Sequence, residues 1–167
     1  MRKLSFIVPV AVVLIALFMS TVFIVDERNK ALVLQFGRVV AVKEDPGLAF
    51  KIPFIQEVVF YDDRILSRDV DPLEVTPLDD RRLVVDAFTR YRITDVNQFR
   101  EAVGTGGVQV AESRLDSILK SEMREVLGSV SSNDILSSDR AVLMSRIRNA
   151  AIEKALPLGI EVVDVRL

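Results

Sequence analysis

The 167-residue sequence contains no histidine, no cysteine and no tryptophan. Each of the first two absences removes a class of chemistry. Without Cys or His there is no Cys/His zinc site, no thiol nucleophile, no Ser-His-Asp triad and no disulfide. The missing Cys leaves the redox compartment open, because a domain without thiols folds equally well in either. A dominant charge is also lacking: 22 Lys+Arg stand against 24 Asp+Glu, a formal charge of −2. Nucleic acid is therefore not an expected partner, since its recognition calls for a basic face. Glycine (7) and proline (6) are sparse, and no internal repeat or low-complexity run is present.

What is present first is an apolar run. Residues 4–25 carry no charge, and 18 of the 22 are Ala, Val, Ile, Leu, Met or Phe; the others are Ser5, Pro9, Ser20 and Thr21. As a helix this run would be roughly 33 Å long, enough for a hydrocarbon core of about 30 Å. Pro9 lies one turn inside the start, where a lost backbone bond costs least. A cleaved signal peptide needs a shorter apolar stretch and a small-residue site behind it. Here the run continues through Val22, Phe23, Ile24 and Val25 with no such site, so a single-pass anchor is expected over 4–25, preceded by a tail of residues 1–3. Arg2 and Lys3 before the span balance Arg28 and Lys30 after it, so the positive-inside rule is nearly tied. The terminal amine tips the N-terminus toward the cytoplasm and the remainder toward the outside.

After residue 25 the period changes. Residues 31–42 are β-branched and apolar and read as one buried strand, with Gly37 as a bulge. Pro46-Gly47 is a turn signal, and residues 50–54 read as extended chain that Pro53 keeps out of a regular central strand. Strands are expected over 57–61 and 64–70, and the segment with Pro72, Pro77 and residues 79–82 as loop and hairpin. Residues 83–93 give the clearest strand: Leu83, Val85, Ala87, Tyr91 and Ile93 share one face, and Asp86, Arg90 and Arg92 the other. Asp95 is then an N-cap for a short helix with Val96, Phe99 and Val103 on one side. A long amphipathic helix over 108–127 follows, its stripe carrying Ala111, Leu115, Leu119 and Met123, with Glu112, Asp116, Lys120 and Arg124 on the solvent side. Gly128 stops it. Ser138 or Asp139 can cap a further helix to about Leu156, which Pro157 and Gly159 end before a strand over 160–165. Strands, then helices, then a closing strand make an α+β domain: strand-rich over 31–93, helical over 95–156, closing over 160–167.

Catalytic equipment is hard to find. Gly104–Gly107 lacks the preceding strand and the Lys-Ser/Thr pair of a P-loop and reads as an interhelical turn. Asp62-Asp63 and Asp79-Asp80 are adjacent carboxylates that point apart on a strand; at turns they are expected to be solvated. Lys120 beside Ser121 offers a Ser-Lys pair without a strained elbow or oxyanion site. No catalytic, cofactor-binding or metal-binding residue is assigned, and no cofactor is expected.

Several blocks, in order, resemble a known superfamily. They are Val25-Asp26-Glu27-Arg28, Leu34-Gln35-Phe36-Gly37-Arg38-Val39 and Pro46-Gly47-Leu48-Ala49-Phe50-Lys51-Ile52-Pro53-Phe54. Asp62 with Arg64, Val85-Asp86 and Tyr91-Arg92-Ile93-Thr94-Asp95 follow. Asn133-Asp134-Ile135-Leu136-Ser137, Arg140 and Gly159-Ile160-Glu161-Val162-Val163-Asp164-Val165-Arg166 complete the set. Together they are similar to the stomatin/prohibitin/flotillin/HflK/C (SPFH) domain, which would then occupy residues 26–167, and within it to the HflK/C branch of the bacterial inner membrane. That resemblance implies a non-enzymatic scaffold: a large hetero-oligomer with an HflK-like SPFH subunit, caging the AAA protease FtsH, touching membrane lipids, with its domain in the periplasm. Two departures stand out. The Gly that members often carry near Asp26-Glu27 is missing. Members also continue past the Asp-Val-Arg strand into a long helical cage wall, whereas this sequence stops at Leu167 and reads as a fragment.

Three functions follow from these readings. The first is the FtsH-associated scaffold; the second is a stomatin-like organiser of lipids or another membrane protein; the third, a membrane-bound Ser-Lys hydrolase. For the first, Phe50, Ile52, Pro53, Phe54 and Ile55 form an apolar cluster near the membrane exit that is expected either to touch lipid headgroups or a neighbour, or to be a core strand.

Overall fold

The structure, a computed structural model, describes residues 12, 15, 17–137 and 140–166. It divides into two compact units, Met1–Asp63 and Arg64–Leu167, each with its own sheets.

In the first unit, residues 17–21 are helical and lead directly into strand β1, Val22–Val25. Half of the anchor expected over 4–25 lies outside the described residues. Among the described residues no helix is long and apolar enough to cross a membrane. The last four residues of the run are strand rather than helix, a correction with a simple cause: Val22, Ile24 and Val25 are β-branched and find a partner strand. That partner is β4, Gly47–Phe50, paired antiparallel with Val22 opposite Phe50 and Ile24 opposite Leu48. Gly47, at φ 141°, is the first residue of that strand.

The single strand expected over 31–42 is a hairpin. Strand β2 (Asn29–Gln35) turns at Phe36-Gly37 into β3 (Arg38–Lys43), and Gln35 pairs with Arg38 across the turn. Both turn residues have positive φ, 50° at Phe36 and 79° at Gly37, the signature of a type I′ turn. The register shift lies opposite Val33/Leu34, where Val40 is the extra residue, so the irregularity expected at Gly37 is a turn there and a bulge within β3. Strand β5 (Gln56–Asp62) completes the sheet in the order β3-β2-β5. The inner face of β1 and β4 packs on this sheet through Val25, Ala31 and Ala49, with Phe23 and Val58 against them. Phe23 meets Phe60 edge-on at 6.3 Å between ring centroids.

In the second unit β6 (Leu66–Val75), β7 (Leu83–Ile93) and β8 (Ile160–Arg166) form an antiparallel sheet in that order. Strand β6 runs on through Pro72, because a register shift between Val70 and Leu73 takes the proline out of the ladder. The alternation read in β7 is present, with Thr89 as the polar member of the buried face; its hydroxyl donates to the Asp164 carbonyl at 3.1 Å. Helix α1 (Val96–Val103) is capped by Asp95, whose carboxylate accepts from the Gln98 N–H at 3.0 Å. A 3-10 turn (Gly104–Gly106) leads into α2 (Gly107–Gly128), which buries Ala111, Leu115, Leu119, Met123 and Leu127.

The short α3 (Ser132–Leu136) is closed by a capping box between Ser131 and Asp134, and α4 spans Arg140–Ala155. The caps expected at Ser138 and Asp139 lie outside the described residues. Leu156–Leu158 forms a 3-10 turn, and Gly159 adopts φ 69° before β8. The mixed α+β order of strands, helices and a closing strand is as the sequence predicts.

Candidate functional site

The acidic pairs do not converge on a reacting atom. Asp63 binds Lys30 at 3.0 Å. Asp79 is more than a solvated turn residue: its carboxylate accepts from both the backbone N–H and the hydroxyl of Ser132 at the start of α3. That hydroxyl hydrogen bond is the main reason its pKa is lowered. Asp80 sits at φ 57° in the turn and is exposed. Lys120 is engaged by Asp71 at 2.9 Å, and Ser121 is exposed. Among the described residues no group of His, Cys, Asp or Glu could hold a metal ion.

The face of α2 expected to be solvated is partly buried. Asp116 and Glu112 both meet Arg68 on β6, at 3.0 Å and 3.5 Å. The Asp116 hydrogen bond raises Arg68 above its ordinary value. Tyr91 donates to Glu112 at 2.8 Å, and burial, more than that carboxylate, pushes its phenol pKa well up. Glu122 is buried and ion-paired with Lys154 on α4. These contacts brace α2 against strand and helix. A shallow groove of about 250 Å³ is lined by Leu83, Val85, Ile135, Leu136, Asp86 and Arg140. It is smaller than common small-molecule sites of about 300–1,000 Å³.

The feature that stands out is in the first unit. Opposite residues of an antiparallel pair project to the same side, as do residues two apart. Val22, Ile24, Leu48 and Phe50 therefore share the outer face of the β1–β4 ribbon, while Phe23, Val25 and Ala49 face inward. Ile24, Leu48 and Phe50 are about as exposed as each other, at 71%, 70% and 66%. Beyond Phe50 the chain forms a turn rather than the expected extended segment. The Gln56 N–H donates to the Ile52 carbonyl at 2.9 Å, and the Gln56 side-chain oxygen accepts from the Ile52 N–H at 2.7 Å. Ile52, Phe54 and Ile55 are exposed on it and Pro53 is half-buried.

The apolar cluster at 50–55 is thus not a core strand. Exposed contiguous apolar surface marks a contact with a protein or a membrane. The sequence reading found the cluster but missed Ile24 and Leu48, which only strand pairing brings beside Phe50. It also missed Phe36, exposed at the hairpin tip. The face adjoins the apolar run directly, since the Lys51 N–H donates to the Thr21 carbonyl at 2.7 Å.

Comparison with known proteins agrees with the motif order. The sequence model of the SPFH domain / Band 7 family matches residues 23–167. The chain is similar to "Protein HflC" of Haemophilus influenzae, with 30% identity covering 97% of this chain and 58% of that one. It is 33% identical to "Modulator of FtsH protease HflC" of Escherichia coli, over 90% of this chain and 46% of the relative. With "Protein HflC" of Vibrio parahaemolyticus it shares 27% identity, over 100% and 62% of the two chains. The chain therefore spans about half the length of the curated relatives it matches.

Proposed function

Because the chain belongs to the SPFH domain / Band 7 family, we propose that it is a membrane-anchored scaffold subunit of an FtsH modulator. With an HflK-like subunit it assembles into a large hetero-oligomer that cages the AAA protease and controls which membrane-protein substrates reach it. Its anchor sits in a bacterial inner membrane with the N-terminus cytoplasmic and the SPFH domain periplasmic. The Escherichia coli relative carries the name of FtsH modulator, and the geometry supports the membrane end of this reading.

The observation that carries it is the exposed apolar face of the β1–β4 ribbon, placed where the apolar run ends. With Val22–Val25 in a strand, residues 4–21 remain for the helix, roughly 27 Å at about 1.5 Å per residue. That is slightly short of a hydrocarbon core of about 30 Å, so β1 begins at the membrane interface. There its paired backbone is satisfied on one edge and hydrated on the other, and its outer face of Val22, Ile24, Leu48 and Phe50 meets lipid rather than water. The mechanism is then steric: a domain seated on the bilayer and packed laterally on its neighbours fences the protease.

The test is co-purification from native membranes, with a tag at the N-terminus, gentle solubilisation, mass spectrometry and native particle size. An HflK-like subunit and FtsH recovered in a megadalton particle is the expected result. A small oligomer with lipid and neither protein would refute the FtsH assignment and leave the lipid-organiser reading.

A further inference from the structure

Phe36 and Phe54 occupy backbone positions where phenylalanine is strained. Phe36 is the first residue of the type I′ turn at φ 50°, and Phe54 stands in the 52–56 turn at φ 67°. A β-carbon is crowded at positive φ, which is why Asn and Gly dominate such turns. Packing within the unit does not compensate, because the two side chains are 84% and 93% exposed. Both line one cleft of about 430 Å³ together with Lys51, Ile55 and Glu57. The Gln56 amide donates to the Gln35 side-chain oxygen at 3.4 Å, linking the turn that carries Phe54 to the strand end that carries Phe36. Strain maintained at two linked, exposed aromatic rings points to use against something outside the chain.

We propose that Phe36 and Phe54 are paired aromatic wedges that enter the headgroup layer of a phospholipid bilayer. The inference rests on the bilayer reading of the ribbon face and adds a second point of entry to it. Continuity selects lipid as the occupant: the cleft includes Lys51, whose backbone holds the end of the apolar run at Thr21. Aromatic rings favour the interfacial layer, and a lysine beside them can extend its ammonium toward lipid phosphates. Two rigidly presented rings would fix the tilt of the unit against the membrane, which a single ribbon face leaves free to rock.

The absence of tryptophan makes the test direct. Phe36→Trp, Phe54→Trp and Phe50→Trp each create a single reporter in the full chain, reconstituted into phosphatidylcholine/phosphatidylglycerol vesicles with plain or brominated acyl chains. Several-fold quenching by brominated lipid at all three positions is expected. Quenching at position 50 alone overturns the wedges and leaves the ribbon reading standing; quenching at none removes both. Blue-shifted emission at 36 and 54 without quenching would place the rings against protein and also overturn the proposal. A separate variant, Phe36→Asn, is expected to raise the thermal midpoint by about 2–4 °C by relieving the turn. A lowered midpoint would make Phe36 a packing residue and sink the idea.

Discussion

Substituting Gly159 by alanine isolates the closest backbone approach in the second unit. Gly159 has φ 69°, and a Cβ built there lies 2.4 Å from the Asp95 carbonyl oxygen and 2.7 Å from the Phe99 nitrogen. Those two atoms are bonded to each other in the first turn of α1, at 2.9 Å, so neither can yield alone. The Gly159 carbonyl also accepts from the Thr94 N–H at 3.0 Å and the Asp95 N–H at 3.3 Å. Left-handed backbone costs a non-glycine residue about 1–2 kcal/mol. Backing away from the clash forfeits up to two hydrogen bonds, each about 0.5–1.5 kcal/mol. The expected loss for Gly159→Ala is therefore about 2–5 kcal/mol.

The left-handed cost alone is about 1–2 kcal/mol, so any loss beyond it reports the close approach to the Asp95–Phe99 backbone. Urea titration of the detergent-solubilised full chain, followed by the helical circular dichroism signal, measures the loss. A loss confined to the left-handed cost would refute the argument that the Asp95–Phe99 backbone cannot move.

Other expectations are shorter. Asp79 has a lowered pKa in the fold, chiefly through the Ser132 hydroxyl, so its stabilisation is present above the ordinary value of 3.8 and is lost as pH falls through the lower folded value. Asp79→Asn should flatten that part of a urea-midpoint profile between about pH 2 and 6, and an unchanged slope would contradict it. Lys154→Met leaves buried Glu122 without its cation and should destabilise, while adding Glu122→Leu should recover most of the loss. Lys154 is raised by Glu122, so that ion pair contributes below the ordinary value of 10.5 and fades as pH rises through the folded value. Tyr91→Phe removes a hydrogen bond to a carboxylate at 2.8 Å and should cost about 1.5–3 kcal/mol by the same titration.

Much of the second unit was legible as pattern. Strand β7 has its expected bounds, and α1 has its expected Asp95 cap, because alternation and capping act over a few residues. The face of α2 was misread at Asp116, since a charge on a helix is buried or not according to which strand meets it, and Arg68 lies 48 residues away. The hairpin at Phe36-Gly37 was hidden because a phenylalanine stands where turn chemistry favours Asn or Gly, and the strained residue is the one now assigned an external role.

Composition and short-range pattern by themselves determined the chemistry this chain lacks, the apolar run, the α+β order and the motif series of the SPFH domain. These are properties of single residues or of windows shorter than a helix, and long-range contacts do not enter. Only the tertiary structure decided that Val22–Val25 leaves the run to pair with Gly47–Phe50, and hence which apolar side chains stand together outside. Strand pairing joins residues some twenty-five positions apart, and a one-residue slip would exchange inner and outer faces. The exposed apolar face of the ribbon is set by that register.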